Sequence, residues 1–134
     1  YGTRHRRGSS VEYVAVGLGA LLGANLRYVV SSWAANRFGG GFPYGTFAVN
    51  VSGAFVIGLL LAAALFRAGV HPILRLFAIT GFLGGYTTFS SYAWEALTLA
   101  DNRAWLRFAL YVVGSNVIGL AGVWAGARVG SSFN

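Results

Sequence analysis

Residues 81–92 read Gly-Phe-Leu-Gly-Gly-Tyr-Thr-Thr-Phe-Ser-Ser-Tyr, in the middle of an apolar run that extends over about residues 73–99. Adjacent glycines followed by two β-branched threonines are poor helix formers, so this stretch predicts a break in the helix. A break frees backbone carbonyl groups, which a membrane tolerates only where protein buries them or where they line a polar site. Such oxygens are suitable ligands for a hard cation such as Na⁺. An ordinary flexible kink without a ligand is the alternative.

The chain as a whole is strongly apolar. Its 134 residues are 56% hydrophobic and only 10% charged. A soluble domain carries about 25% charged residues, and a chain this short has too small a core to bury so much apolar surface. The excess is therefore predicted to face a lipid bilayer.

Four apolar runs are long enough to cross a bilayer, which takes about 20 residues. They extend over about residues 11–35, 45–66, 73–99 and 105–127. The first run is too long for the apolar part of a cleaved signal peptide, so we expect a retained helix. The sequence predicts an all-α membrane protein with four transmembrane helices in residues 11–128, flanked by a disordered basic tail at 1–10 and a C-terminal tail at 129–134.

The charge distribution argues against a nucleic-acid partner and against a fixed orientation. All ten basic residues are arginines, set against three acidic residues. Outside the N-terminal tail the arginines lie singly, either between the apolar runs or, like Arg27, Arg75 and Arg107, within them. Arg67, Arg75 and Arg128 fall on one side of the predicted bundle, and Arg37, Arg103 and Arg107 fall on the other. Because the positive-inside rule then favours neither direction, we expect the chain to insert both ways, so that two inverted copies pair.

Several chemistries are excluded or disfavoured by composition. The chain has no cysteine, which excludes disulfides and thiolate sites. Its two histidines, His5 and His71, fall in the tail and in a loop, so no enzymatic activity is expected. Small-residue stripes predict close helix packing instead. They comprise Gly17, Gly19, Gly23, Gly53, Gly58, Gly114, Gly119, Gly122 and Gly126.

Polar side chains within the apolar runs are candidates for a functional site, because polar groups are costly in lipid. Thr46, Asn50 and Gly53 share one helical face, and the amide donors of Asn50 are suited to replacing water around a small anion. Phe89 and Tyr92 share a face beside the predicted break, and aromatic ring edges carry partial positive charge. An interhelical hydrogen bond is the alternative for Asn50, and core packing is the alternative for the rings.

Hydroxyl groups in the fourth run extend this pattern. Tyr111 and Ser115 lie four residues apart on one side of the predicted helix. Together with Ser91 they form a candidate ladder of hydrogen-bond donors. Hydroxyls that cap a helix or bond back to their own helix are the alternative.

Three segments together resemble the signatures of the CrcB/Fluc fluoride channels. They are residues 23–28 (Gly-Ala-Asn-Leu-Arg-Tyr), 43–53 (Pro-Tyr-Gly-Thr-Phe-Ala-Val-Asn-Val-Ser-Gly) and 81–92, and Glu95 also fits the pattern. The resemblance covers about residues 11–128. It implies an antiparallel, dual-topology homodimer in the cell inner membrane, with two fluoride pores and a structural Na⁺ buried at the dimer centre.

The resemblance also implies roles for individual residues. Backbone carbonyls of Gly84 and Thr87 from both subunits would hold the Na⁺, and Arg27 would attract anions to a vestibule. Tyr92 departs from the pattern, because the family has a second pore phenylalanine there, and its hydroxyl offers an O–H contact to fluoride. With the residues identified above, the predicted pore consists of Thr46, Asn50, Phe89, Ser91, Tyr92, Tyr111 and Ser115.

The implied function is passive export of fluoride. A negative-inside potential favours anion exit by about 2.3 kcal/mol per charge per 100 mV, so an open pore needs no further energy source. One rival is a small proton-coupled multidrug exporter, which needs a carboxylate within the membrane, whereas Glu12, Glu95 and Asp101 fall near run ends or in a loop. The other rival is a non-transporting scaffold subunit, which would explain the glycines but not the cluster of polar residues.

Overall fold

A computed structural model of the protein describes residues 8–63 and 69–133, and the regular structure in these two ranges is entirely helical. The elements are α1 (Ser10–Phe38), α2 (Tyr44–Ala62), α3 (Pro72–Arg75), a π-helical segment (Leu76–Leu83), α4 (Gly84–Tyr86), α5 (Phe89–Asp101) and α6 (Trp105–Ser131). Within the described part of the chain, three helices, α1, α2 and α6, are each long and apolar enough to cross a membrane. The chain is therefore a multi-pass membrane protein.

The first helix begins within the segment predicted to be a disordered tail. Ser9 is its N-cap and forms a capping box with Glu12: the Glu12 N–H donates to Ser9 Oγ (3.3 Å), and the Ser9 N–H donates to Glu12 Oε2 (2.6 Å). The helix ends before Gly39, whose φ of 76° favours glycine. The structure therefore corrects the predicted run 11–35 to Ser10–Phe38, and residues 1–7 of the predicted tail lie outside the described residues.

The last helix is also longer than predicted. It extends to Ser131, past the predicted end at residue 127 and into the predicted C-terminal tail at 129–134. Arg128 does not end the helix, because its guanidinium lies 5.3 Å from the Trp124 ring centroid and complements the helix dipole in the last turn. The second helix ends at Ala62, and Ala63 is extended, so the part of the predicted run 45–66 after residue 63 lies outside the described residues.

Close helix packing explains most of the glycine stripes. The helix α2 packs along α6, and α1 packs along the π-helical segment. A Cβ would collide with a backbone carbonyl of the facing helix at Gly19 (Phe77), Gly23 (Phe82), Gly58 (Val123) and Gly126 (Phe55). At Gly17 and Gly119, in contrast, no described atom lies within 4 Å of the Cβ position, so these two glycines take no part in close packing within the chain.

The third apolar run is interrupted where the sequence predicts. The helix α4 ends at Tyr86, and two extended residues follow, Thr87 (φ −87°, ψ 158°) and Thr88 (φ −149°, ψ 120°). The helix α5 then begins at Phe89. The run therefore consists of two parts, residues 72–86 packed on α1 and α5 packed on α6.

Candidate functional site

The break in the third run is held by one side chain from α2. Asn50 donates from Nδ2 to the Thr88 carbonyl at 2.9 Å, and its Oδ1 accepts from the Thr88 N–H at 2.8 Å. In an unbroken α-helix, the Thr88 N–H would donate to the carbonyl of Gly84. The amide of Asn50 therefore replaces a helical partner and satisfies both backbone polar groups of Thr88. The interhelical hydrogen bond considered for Asn50 is present.

The side chain of Thr88 then starts the next helix. Its Oγ1 accepts from the Ser91 N–H at 3.3 Å, which is an N-cap, and donates to Ser91 Oγ at 3.1 Å. An unbroken helix would pair the Ser91 N–H with the carbonyl of Thr87 instead. Ser91 is therefore engaged in the cap, and it is not among the residues that line the cavity described next.

A cavity of about 450 Å³ lies beside the break, between α2, α5 and α6. Four of the predicted pore residues line it: Asn50, Phe89, Tyr92 and Ser115. Gly84, Thr87 and Thr88 of the broken run line it as well, and no arginine is among its described lining residues. We call this space the break cavity.

Two side chains of the break cavity, Ser115 and Phe89, have polar or aromatic groups that the rest of the described chain leaves open to a further contact. Ser115 Oγ is buried and has no hydrogen-bond partner in the described part of the chain, so it does not bond back to its own helix. The Phe89 ring is 80% exposed in the single chain, which argues against core packing. Its centroid lies 5.7 Å from that of Tyr92, and the Tyr92 centroid lies 5.3 Å from that of Tyr111. An amide, a hydroxyl and two aromatic rings thus line one space.

Two of the predicted pore hydroxyls bind a carboxylate instead of facing the break cavity. Thr46 donates from Oγ1 to Glu95 Oε1 at 2.8 Å, and Tyr111 donates to Glu95 Oε2 at 2.7 Å. Thr46 and Glu95 line a second cavity of about 310 Å³. The Tyr111 side chain is fully buried and contacts one wall residue of each cavity, Tyr92 and Glu95.

Beyond its place in the motif, Glu95 has no role that the sequence predicts. A lone carboxyl group in an apolar run predicts hydrogen-bond donors nearby, but the sequence does not identify them, because Thr46 and Tyr111 lie 49 and 16 residues from Glu95. Both hydroxyls had been assigned to an anion pore. In the structure both hydroxyls donate to the side chain of Glu95.

The remaining predicted site residues lie apart from these groups. Arg27 is on α1 and does not line either of the two cavities, and its Nε is buried without a partner among the described residues. The proposed metal ligands Gly84 and Thr87 both line the break cavity. Within the described ranges no group of three or more His, Asp or Glu side chains is placed to hold a metal ion.

Comparison with known proteins places these features in a family. Residues 14–127 match the family model described as CrcB-like protein, Camphor Resistance (CrcB). A protein of Roseiflexus sp. (strain RS-1) named fluoride-specific ion channel FluC is 49% identical over 119 residues, 89% of this chain and 96% of the relative. Proteins with the same name from Chloroflexus aurantiacus (46% identity, 90% of this chain and 95% of the relative) and Acidobacterium capsulatum (43%, 90% and 97%) are also similar. The chain therefore belongs to the CrcB family.

Proposed function

We propose that this protein is a fluoride-selective ion channel of the cell inner membrane, which lowers cytoplasmic fluoride by passive export. The relatives named as fluoride channels support the ion, because they cover nearly the whole chain at 43–49% identity. The observation that carries the proposal is the break cavity. Neutral donors and two aromatic rings meet there without an arginine among the described lining residues.

This chemistry suits a small, strongly hydrated anion. The second hydrogen of Asn50 Nδ2 and the hydroxyl of Ser115 replace some of the hydrogen bonds that fluoride loses when water is stripped. The edges of Phe89 and Tyr92 add weak electrostatic attraction. Because no arginine is among the described lining residues, no cationic side chain holds the ion, and binding is weak enough for it to leave as well as enter. The membrane potential then drives exit, as estimated above.

The functional unit that we propose is an antiparallel homodimer with four membrane spans per copy: α1, α2, α6 and the broken third run at residues 72–101. Exposed polar groups on the single chain support a second copy. Ser52, Ser90 and Asn116 are exposed although they lie within membrane-spanning segments, where lipid contact would be costly. The balanced arginines on the two sides of the bundle support insertion in both orientations.

We also propose a structural Na⁺ at the centre of this dimer, held by backbone carbonyls of Gly84 and Thr87. The residues fit the ion for a specific reason. The N–H groups that would pair with these two carbonyls in an unbroken helix belong to Thr88 and Ser91, and they donate to Asn50 Oδ1 and Thr88 Oγ1 instead. Gly84 is also exposed in the single chain. A bound Na⁺ would supply positive charge between carbonyl dipoles of two copies.

Anion efflux from liposomes tests the function. Purified protein is reconstituted into liposomes loaded with potassium fluoride or potassium chloride, and release is followed with ion-selective electrodes after valinomycin is added. We expect rapid fluoride release and little chloride release. Absence of fluoride release would contradict the channel and favour the hypothesis of a non-transporting scaffold subunit.

A proton-coupled exporter needs its own control, because Glu95 is a half-buried carboxylate within a helix. A protonophore is therefore added to the same liposomes to abolish any proton gradient. A channel continues to release fluoride at an unchanged or higher rate. Fluoride release that stops with the proton gradient would contradict passive export.

A further inference from the structure

The hydroxyl of Tyr92 has a hydrogen-bond partner on the neighbouring helix. Asn116 of α6 donates from Nδ2 to the Tyr92 hydroxyl at 3.1 Å and from the same atom to the Val112 carbonyl at 2.8 Å. Both Asn116 and Tyr92 line the break cavity. The contact joins α5 to α6 beside Ser115, whose buried hydroxyl has no partner among the described residues.

The geometry fixes which group donates. A backbone carbonyl only accepts, so the Asn116 atom that contacts Val112 is the amide nitrogen. One hydrogen of this nitrogen goes to Val112 and the other goes to Tyr92, so the Tyr92 oxygen is the acceptor. A phenol that accepts in this way still has its own hydrogen to donate. In residues 8–63 and 69–133 no protein acceptor is found for that hydrogen.

We propose that Asn116 is a positioning residue, which holds the Tyr92 hydroxyl so that its O–H donates to the anion in the break cavity. The inference rests on the proposed fluoride function and adds a donor and its orienting partner to it. The amide donating to the phenol oxygen also polarises the O–H bond, so the hydroxyl becomes a stronger donor. Fluoride accepts a stronger hydrogen bond than chloride, so the Tyr92 hydroxyl favours fluoride.

The test uses the single variants Tyr92→Phe and Asn116→Leu and the double variant. Tyr92→Phe keeps the ring and removes only the hydroxyl, and Asn116→Leu keeps the approximate side-chain volume and removes the amide. Ser131→Ala is the control on the same helix, because the Ser131 hydroxyl bonds only to the Ala127 carbonyl in the described part of the chain. Initial efflux rates are measured over a range of internal fluoride concentrations and compared with chloride, and dimer formation is checked by size-exclusion chromatography.

We expect Tyr92→Phe to raise the half-saturating fluoride concentration by about tenfold, equivalent to about 1.4 kcal/mol, and to lower the fluoride/chloride ratio. Asn116→Leu should have a smaller effect in the same direction. In the Tyr92→Phe background it should have almost no effect, because its action passes through the missing hydroxyl. The control should behave as wild type.

Two results would overturn the inference while leaving the channel in place. One is wild-type half-saturation and selectivity in Tyr92→Phe. The other is a full effect of Asn116→Leu in the Tyr92→Phe background, since that effect would then not act through Tyr92. Failure of the wild-type protein to release fluoride would instead contradict the proposed function, so the two failures are distinguishable.

Discussion

Asn50 fills one of the two roles that the sequence left open and keeps the group that the other role needs. One N–H of its amide and its oxygen bind the backbone of Thr88, which makes it an interhelical hydrogen-bond partner. The second N–H remains for the break cavity, which Asn50 lines. A single amide thus holds the broken run in place, and in the proposed function its second N–H donates to the anion. The sequence predicted both chemistries but not their combination, because the partner on the third run depends on tertiary packing.

The sequence did not predict the hydrogen-bond partners of Glu95. Its two carboxylate oxygens accept from Thr46 and Tyr111, so removing the carboxylate leaves two hydroxyls without an acceptor. Because an unsatisfied buried donor costs about 1–3 kcal/mol, we expect Glu95→Ala to lower the free energy of unfolding by at least that amount. Thermal or denaturant unfolding in detergent micelles measures the change.

A compensating variant separates this effect from simple loss of packing. When Thr46→Val and Tyr111→Phe are added to Glu95→Ala, no unpaired hydroxyl remains, and part of the lost stability should return. Thr98→Ala on the same helix is the control, because the Thr98 hydroxyl bonds to the nearby Trp94 carbonyl. A triple variant that is less stable than Glu95→Ala would contradict the proposed hydrogen-bond network.

At the scale of elements, local sequence predicts the broken run and tertiary contacts complete it. The glycines and threonines of residues 84–88 disfavour a continuous helix, and the interruption lies at Thr87 and Thr88. The helix ends are less predictable. The apolar pattern predicted an end of the fourth run near Arg128, whereas the helix continues to Ser131. Two contacts explain the continuation, because Arg128 contacts Trp124 and Gly130 fits closely against Leu59. Contacts of this kind have no signature in a single sequence.

The N-cap of α5 is a separate test of the break. Thr88 Oγ1 accepts from the Ser91 N–H, so Thr88→Ala removes the cap and should cost about 1 kcal/mol of stability. Thr88→Ser retains a capping hydroxyl and should behave nearly as wild type. Unfolding in detergent measures both variants. Equal destabilisation by alanine and serine would show that the threonine methyl group, not the cap, stabilises this segment.

For the complete assembly, composition and arginine placement predict two inverted copies in a membrane, whereas the fold describes a single chain. The four apolar runs predicted a membrane bundle, and three of them form long helices that suit a membrane. The fold of one chain does not itself show the proposed antiparallel second copy. Its support comes from exposed polar groups such as Ser90 and Asn116, which are costly in lipid.

Insertion in both orientations can be tested with topology reporters. Because three arginines fall on each side outside the N-terminal tail, we expect C-terminal fusions to a cytoplasmic reporter and to a periplasmic reporter both to be active in cells. Adding two lysines after Ser131 should shift the population toward the orientation with a cytoplasmic C-terminus. Activity of only one reporter in the unmodified chain would contradict dual topology.

Fluoride efflux from liposomes containing Asn50→Ala or Phe89→Ile tests most directly whether anions cross the protein through the break cavity. Asn50→Ala removes the amide donors and Phe89→Ile removes the ring edge, while size-exclusion chromatography verifies that the dimer remains intact. We predict that both variants release fluoride at least tenfold more slowly than wild type. Release at the wild-type rate from intact dimers of either variant would contradict the assignment of this cavity as the pore.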